Sequence, residues 1–182
     1  MKKGFRILKF KKDKPIFEVI DVSKSFNGRP ILKKLSIKVF PGECVGILGP
    51  NGCGKTTLFS MCIGEQAVDN GKILLNGKSI EQTPIHLRAK DGLGYLPQSR
   101  SLFSLSTYDN LLGLIQLHVK DTKKQKDETE RLLEEFNLAH LRSLDASVLS
   151  GGEAKRLQLA RLMINKPKIV LLDEPLAALD PL

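Results

Sequence analysis

The chain has 182 residues, of which 41% are hydrophobic, and this length and composition are ordinary for one soluble globular domain. No apolar run approaches the roughly 18 residues of a membrane-spanning helix. No signal peptide is expected, because a continuous apolar segment never follows the basic start. Three cysteines without a C-x-x-C pair suit a reducing cytosol. We expect Cys44 and Cys62 to be small core residues.

The net charge of +9 is concentrated at one end of the chain. Residues 1–16 contain seven lysines or arginines and one aspartate, a net +6, so the remaining residues carry only +3. A basic tail of this kind can touch anionic lipid or RNA, and the alternative is a tail that is simply solvated. The charge therefore does not predict a specific nucleic-acid partner.

Alternating apolar residues near the start of the chain predict two strands, at residues 17–22 and 35–39. A turn signal, Asn27-Gly28, lies between them. A second turn at residues 41–42 leads into the apolar run 44–48, which we predict to be a buried strand. Phe26, beside the first turn, is either an exposed aromatic that stacks on a purine or a hydrophobe at the strand edge.

Residues 49–57 read GPNGCGKTT and precede a helix-like stretch at residues 58–63. The pattern G-x-x-x-x-G-K-[ST] between a strand and a helix is typical of a phosphate-binding P-loop. Its glycines allow close backbone approach, and its N–H groups and the helix N-terminus face a polyphosphate. Lys55 then adds a charge at the β- and γ-phosphates, and Thr56 offers a hydroxyl to Mg²⁺. The alternative is a glycine turn with a chance lysine.

The middle of the chain is rich in helical patterns. Residues 71–75 predict a strand ending in the tight turn Asn76-Gly77, and residues 92–96 form another apolar segment. Thr107 is expected to cap a helix whose apolar residues extend to Leu117. A charged helix with one apolar face follows from about residue 120, and its charged residues are expected to be solvated.

The last third of the chain contains two further polar clusters at element ends. Ser150 and two following glycines precede an apolar helix pattern, which predicts a capped helix start able to bind an anion. The run at residues 169–172 predicts a buried parallel strand. Asp173 and Glu174 follow it, at the strand end where α/β folds bind ligands. Asp173 suits a Mg²⁺ shell, and Glu174 suits the polarisation of a water.

These patterns in this order resemble the ATP-binding cassette family over residues 17–182. The resemblance rests on five segments: GPNGCGKTT (49–57), YLPQ (95–98), LSGGE (149–153), IVLLDEP (169–175) and ALD (178–180). It implies an α/β fold, a P-loop NTPase (RecA-like) core with an N-terminal antiparallel β subdomain and an inserted helical subdomain at about residues 99–165.

The resemblance also implies a role for each motif. Glu174 is the expected catalytic glutamate, and residues 177–180 are the expected D-loop. Thr56, Gln98 and Asp173 are the expected Mg²⁺ ligands. Phe26 becomes the expected adenine-stacking aromatic. The expected ATP-binding residues are Phe26, Gly49, Pro50, Asn51, Gly52, Cys53, Gly54, Lys55, Thr56, Thr57, Gln98, Ser150, Gly151, Gly152 and Asp173.

In this family two cassettes pair head to tail with ATP between the P-loop of one and the signature of the other. The resemblance therefore implies a second copy of the chain as a partner, with Ser150, Gly151 and Gly152 on the γ-phosphate. It also implies integral membrane permease subunits, and a location on the cytoplasmic face of the inner membrane. Phe103 lies where such ATPases grip their membrane partners, and the alternative is an ordinary packed aromatic.

Within the family, residues 84–98, 107–112 and 132–142 are similar to the ATPases of lipopolysaccharide exporters, although such segments also occur in branched-chain amino-acid importers. The family continues beyond Leu182 with a central strand and a switch histidine. We therefore expect residues 1–182 alone to be unstable and to hydrolyse ATP poorly. The alternatives are a catalytically impaired cassette protein that binds nucleotide, and a soluble cassette ATPase without a transport role.

Overall fold

The computed structural model describes residues 14–175. The expected D-loop at residues 177–180 and most of the basic tail lie outside the described residues. The chain divides into two compact units, Met1–Thr83 and Pro84–Leu182, which we call the first and the second unit.

The first unit contains an antiparallel sheet of four strands in the order β2-β1-β3-β4. Tight turns join its hairpins at the two predicted positions, where Asn27, Gly28, Asn76 and Gly77 all have positive φ. Asparagine and glycine tolerate this backbone region, which explains why both dipeptides close hairpins. The strands are β1 (Phe17–Phe26), β2 (Arg29–Val39), β3 (Asn70–Leu75) and β4 (Lys78–Ser79).

One helix, α1 (Lys55–Ile63), follows the P-loop and confirms the predicted helix. It buries Leu58, Met61, Cys62 and Ile63, so the prediction of a core Cys62 is confirmed. Phe17 and Val19 of β1 and Ile73 and Leu75 of β3 are buried as well, because every second side chain of a strand points to the same face.

The predicted strand at residues 44–48 is wrong. This run has no strand pairing among the described residues, Leu48 is 96% exposed, and the thiol residue Cys44 is exposed rather than in the core. A strand needs neighbours for its N–H and C=O groups, and no described strand of the first unit pairs with this run. The apolar composition of this run predicted a buried strand, but within residues 14–175 no backbone pairs with it.

The second unit contains a parallel pair of strands, β5 (Leu93–Leu96) and β6 (Ile169–Leu172). The register places Leu96 opposite Leu172, so the two strands end side by side. This confirms the predicted parallel strand. Its residues are half-buried or exposed rather than fully buried, since β6 pairs with β5 alone within residues 14–175.

Among the described residues of this unit, four α-helices accompany the pair: α2 (Ile85–Lys90), α3 (Thr107–Ile115), α4 (Thr122–Glu135) and α5 (Gly151–Met163). The core of the unit lies between the last three, which bury Leu111, Ile115, Leu132, Leu133 and Leu157. No described helix is long and apolar enough to cross a membrane.

The start and end of α3 differ from the prediction. Ser106, not Thr107, caps the helix, because its hydroxyl accepts a hydrogen bond from the N–H of Asp109. Thr107 is the first helical residue; it is buried and donates its hydroxyl to the carbonyl of Leu144 at 3.1 Å. The helix ends before Leu117, which is 75% exposed. A serine and a threonine in succession both suit a cap, and the burial of Thr107 decided between them.

Candidate functional site

Gly54 closes the P-loop in a conformation that only glycine adopts easily. Its φ is +102°, and it is buried. A Cβ atom added there would lie 2.9 Å from the Cγ2 of Ile31 and 3.0 Å from a Cδ of Leu32, both on β2. A side chain at this position would therefore both strain the backbone and displace β2.

The helix that begins at Lys55 has an open N-terminus. Its N-cap is Gly54, and no side chain caps it. The first N–H groups of a helix have no partners within the helix, and together with the helix dipole they attract an anion. A helix end of this kind, without a side-chain cap, therefore lies where the P-loop pattern predicts phosphate binding.

Lys55 lies across its own loop. Its Nζ donates hydrogen bonds to the carbonyl oxygens of Gly49, at 2.8 Å, and Pro50, at 3.1 Å. Two neutral carbonyls hold the ammonium group, and no carboxylate pairs with it among the described residues. The positive charge is thus already positioned inside the loop and remains available to a phosphate oxygen.

Cys53 explains the glycine at the start of the loop. A Cβ atom on Gly49 would lie 2.6 Å from the Sγ of Cys53, so the thiol occupies the space that a side chain at position 49 would need. Cys53 is nevertheless exposed to solvent. The sequence predicted Cys53 as a residue of the nucleotide-binding loop but did not predict this proximity to Gly49.

We therefore expect ATP to protect Cys53 from alkylation. Bound triphosphate would cover the loop, whereas Cys44 is exposed outside it and Cys62 is buried. Iodoacetamide labelling followed by mass spectrometry should show Cys53 blocked by ATP, Cys44 labelled with or without ATP, and Cys62 unlabelled until the protein unfolds. Equal labelling of Cys53 with and without ATP would contradict the placement of nucleotide on this loop.

The remaining predicted nucleotide residues of the first unit are accessible. Asn51, Gly52 and Thr56 are exposed, and Thr57 is half-buried. Phe26 is 40% exposed, with the Nζ of Lys24 5.4 Å from its ring centroid. An exposed aromatic ring can stack on a flat ring such as adenine.

In the second unit, Asp173 lies buried at the end of β6. It is 2% exposed, and its N–H donates to the carbonyl of Leu96 at 3.0 Å, which extends the strand pairing by one residue. Its Oδ2 is buried and has no hydrogen-bond partner among the described residues. Buried carboxylate oxygens are normally paired, and a divalent cation is a natural partner for one that is not.

The chemistry of Asp173 therefore fits a Mg²⁺ ion. The described residues contain no group of three or more histidine, cysteine or acidic side chains that could hold a metal. Magnesium is commonly bound by one or two carboxylates with substrate phosphates and water, so a single buried carboxylate suits it.

Glu174 and Gln98 are brought together at the ends of the parallel strands. The amide Nε2 of Gln98 donates a hydrogen bond of 2.6 Å to the Oε2 of Glu174. Because β5 and β6 end side by side, residues two positions beyond each strand become neighbours. The sequence predicted both residues but not their contact.

The backbone of Glu174 is strained. Its φ is +46°, a region that costs a residue with a side chain on the order of 1–3 kcal/mol. Such strain is common at functional sites, where the surrounding structure compensates for it. Here the strand pairing of Asp173 and the hydrogen bond from Gln98 hold the neighbouring groups in place.

The predicted helix start at Ser150 is confirmed as a capping box. The N–H of Ser150 donates to a carboxylate oxygen of Glu153 at 2.8 Å, and the N–H of Glu153 donates to the hydroxyl of Ser150. The hydroxyl and then the backbone N–H of Ser150 hold the pKa of Glu153 below its usual value. Ser150 is exposed, and Gly151 and Gly152 form the first turn of α5.

Sequence reasoning missed a group of residues on α5 that contact the loop carrying Gln98. The side chains of Lys155, Gln158 and Arg161 all reach backbone carbonyls of that loop. Their spacing of three residues places them on one face of the helix. Nothing in the sequence indicated that this face contacts the loop carrying Gln98.

Comparison with known proteins agrees with these features. The family model for ABC transporters matches residues 32–177. The lipopolysaccharide export system ATP-binding proteins LptB of Haemophilus influenzae and Escherichia coli are 43% identical over 164 residues, which is 89% of this chain and 68% of each relative. A solved ATP-binding cassette of an ABC transporter superposes with a TM-score of 0.81 at 26% identity, covering 91% of this chain and 71% of that one.

The expected fold class and family are thereby confirmed. Among the described residues the structure shows the antiparallel sheet of the first unit and the helical and parallel-strand elements of the second. The solved cassettes share this fold, and the P-loop, signature and carboxylate motifs lie within the matched range. The chain belongs to the ABC transporter family, as an ATP-hydrolysing cassette that resembles LptB.

Proposed function

We propose that this chain energises the export of lipopolysaccharide through membrane partner subunits. The observation that carries the proposal is the 43% identity with LptB proteins over 89% of the chain. The family membership establishes an ATPase. The identity of the transported substrate is our inference. Segments outside the shared cassette motifs also resemble these exporters, which supports the substrate class.

In the proposal each part of the chain has one task. The loop from Gly49 to Thr57 binds the phosphates, with Lys55 as the cation, and Phe26 stacks on the adenine. Thr56, Gln98 and Asp173 hold Mg²⁺, which when bound offsets charge on the phosphates. The unpaired Oδ2 of Asp173 supports this assignment.

Glu174 is the proposed general base. A carboxylate at hydrogen-bond distance from a water can orient it and accept its proton. The 2.6 Å hydrogen bond from Gln98 holds one oxygen of Glu174, and the other oxygen remains for the water. Developing charge on the transferred phosphoryl group is then offset by Lys55.

The proposed assembly is a head-to-tail dimer of cassettes on membrane permease subunits. The exposed Ser150 and the N–H groups at the start of α5 would face the γ-phosphate bound by the second copy. Phe103 is 54% exposed, which favours the docking alternative over a packed aromatic. The assembly would lie on the cytoplasmic face of the inner membrane.

Depletion in the host cell tests this proposal. Removing the chain should cause lipopolysaccharide to accumulate at the inner membrane, and the wild-type gene should restore its transport. Lys55→Ala should fail to restore it, while Lys123→Ala, at an exposed position of α4, should succeed. Normal lipopolysaccharide transport after depletion would overturn the substrate assignment and leave the ATPase assignment standing.

A further inference from the structure

One face of α5 is hydrogen-bonded to the loop at residues 97–101. Lys155 donates its Nζ to the carbonyl of Pro97 at 3.2 Å. Gln158 donates its Nε2 to the carbonyl of Ser99 at 3.0 Å and to the hydroxyl of Ser101 at 3.3 Å. Arg161 donates to the carbonyl of Ser101. Three side chains of α5, spaced three residues apart, therefore contact the same loop.

A fourth side chain makes a contact in the opposite direction, from the loop to the residues before α5. Arg100 donates to the carbonyl of Leu149 at 3.2 Å, one residue before Ser150. The loop therefore holds the start of α5 while the body of α5 holds the loop. We call these four side chains, Lys155, Gln158, Arg161 and Arg100, the clamp.

Gln98 lies between the anchored positions. Its own side chain is not bonded to α5 but donates to Glu174. The carbonyls on either side of it, at Pro97 and Ser99, are each held by the clamp. The clamp therefore restricts the backbone of Gln98 and leaves its amide free to point at the carboxylate.

We propose that Gln158 is a positioning residue for ATP hydrolysis, which acts by holding the loop on the C-terminal side of Gln98 at Ser99 and Ser101. Lys155 holds the carbonyl on the other side, at Pro97. Gln158 is 5% exposed and makes two of the clamp's hydrogen bonds with one amide. A small displacement of a group at the reacting centre can cost up to about 100-fold in rate. The inference deepens the proposed function, since it rests on Gln98 and Glu174 acting in hydrolysis.

Gln158→Met tests the proposal, because methionine keeps the length of the side chain but has no N–H to donate. Single-turnover hydrolysis, with the folded protein in excess over labelled ATP, should slow about tenfold. ATP affinity in EDTA should change less than twofold, since the P-loop is unaltered. Hydrogen exchange at residues 97–101 should accelerate with no matching change in the P-loop.

Gln125→Met is the matched control. Gln125 also donates its side-chain amide to a backbone carbonyl, that of Val119 at 2.7 Å, but on α4. It should lower stability without slowing hydrolysis. If Gln158→Met lowers stability and leaves the rate per folded molecule unchanged, Gln158 is only structural and the proposal fails.

Two further variants separate the possible failures. Lys155→Met removes the contact to Pro97 from a partly exposed position and should slow hydrolysis even if Gln158→Met does not fold. With Gln158→Met unfolded, an unchanged rate in Lys155→Met overturns the proposal. Gln98→Ala tests the role of Gln98 itself. An unchanged rate of hydrolysis in Gln98→Ala would refute the role assigned to Gln98. A slowed rate in Gln98→Ala together with unchanged rates in Gln158→Met and Lys155→Met would refute only the positioning role of the clamp.

Discussion

Replacing Glu174 by Gln should slow ATP hydrolysis by about 10²–10⁴-fold, the range typical of a lost general base. Glutamine keeps the size of the side chain and still accepts the hydrogen bond from Gln98, so the local geometry is preserved. It cannot accept a proton from water at neutral pH. ATP affinity should therefore remain unchanged while the chemical step is lost.

Single-turnover phosphate release measures this effect, because excess protein reveals even slow hydrolysis. Glu134→Gln, an exposed position on α4, is the control and should hydrolyse as the wild type does. Equal rates in wild type and Glu174→Gln would show that another group activates the water. Loss of ATP binding in Glu174→Gln would instead indicate a structural role for this strained residue.

Replacing Lys55 by Ala should weaken ATP binding by about 1.5–3 kcal/mol, the value of hydrogen bonds to a charged group. This corresponds to a rise in Kd of about 10- to 150-fold. The ammonium donates to the carbonyls of Gly49 and Pro50, which are weak partners compared with a phosphate oxygen. We therefore expect most of the free energy of the hydrogen bond between Lys55 and a phosphate oxygen to contribute to the ATP affinity.

Calorimetric titration with ATP provides the measurement. Lys38→Ala is a suitable control, because Lys38 is a lysine of β2 whose side chain is 61% exposed and pairs with Glu18 at 3.2 Å. Exposed pairs of this kind contribute little. An unchanged Kd in Lys55→Ala would refute the P-loop assignment, and an equal loss in both variants would point to a general charge effect.

The sequence predicted the turns, the helix start and the loop that depend only on residues close together in the chain. The Asn-Gly dipeptides predicted two hairpin turns, because few other residues tolerate positive φ. Ser150 and the two glycines after it predicted the start of α5, because a helix cap depends on residues within one turn. The P-loop was predictable for the same reason: its glycines, lysine and helix start lie within nine residues.

The arrangement of the carboxylate site was only partly predictable. A run of apolar residues ending in Asp173 and Glu174 indicated a strand with ligands at its end, and β6 confirms it. The partner of Glu174 is 76 positions away in the sequence, and only the register of β5 against β6 makes Gln98 its neighbour. The clamp has the same origin, since its contacts join positions 49–60 apart.

The sequence by itself thus determined the family, the motifs and most helices and turns, because these depend on patterns within a few residues. Only the tertiary structure decided which polar groups form hydrogen bonds with each other, such as Gln98 with Glu174. It also decided that residues 44–48 form no strand, since an apolar run becomes a strand only when another backbone lies beside it. It selected Ser106 over Thr107 as the cap of α3 because Thr107 is buried and bonded to Leu144. Pairing and burial depend on distant parts of the chain, which no local pattern encodes.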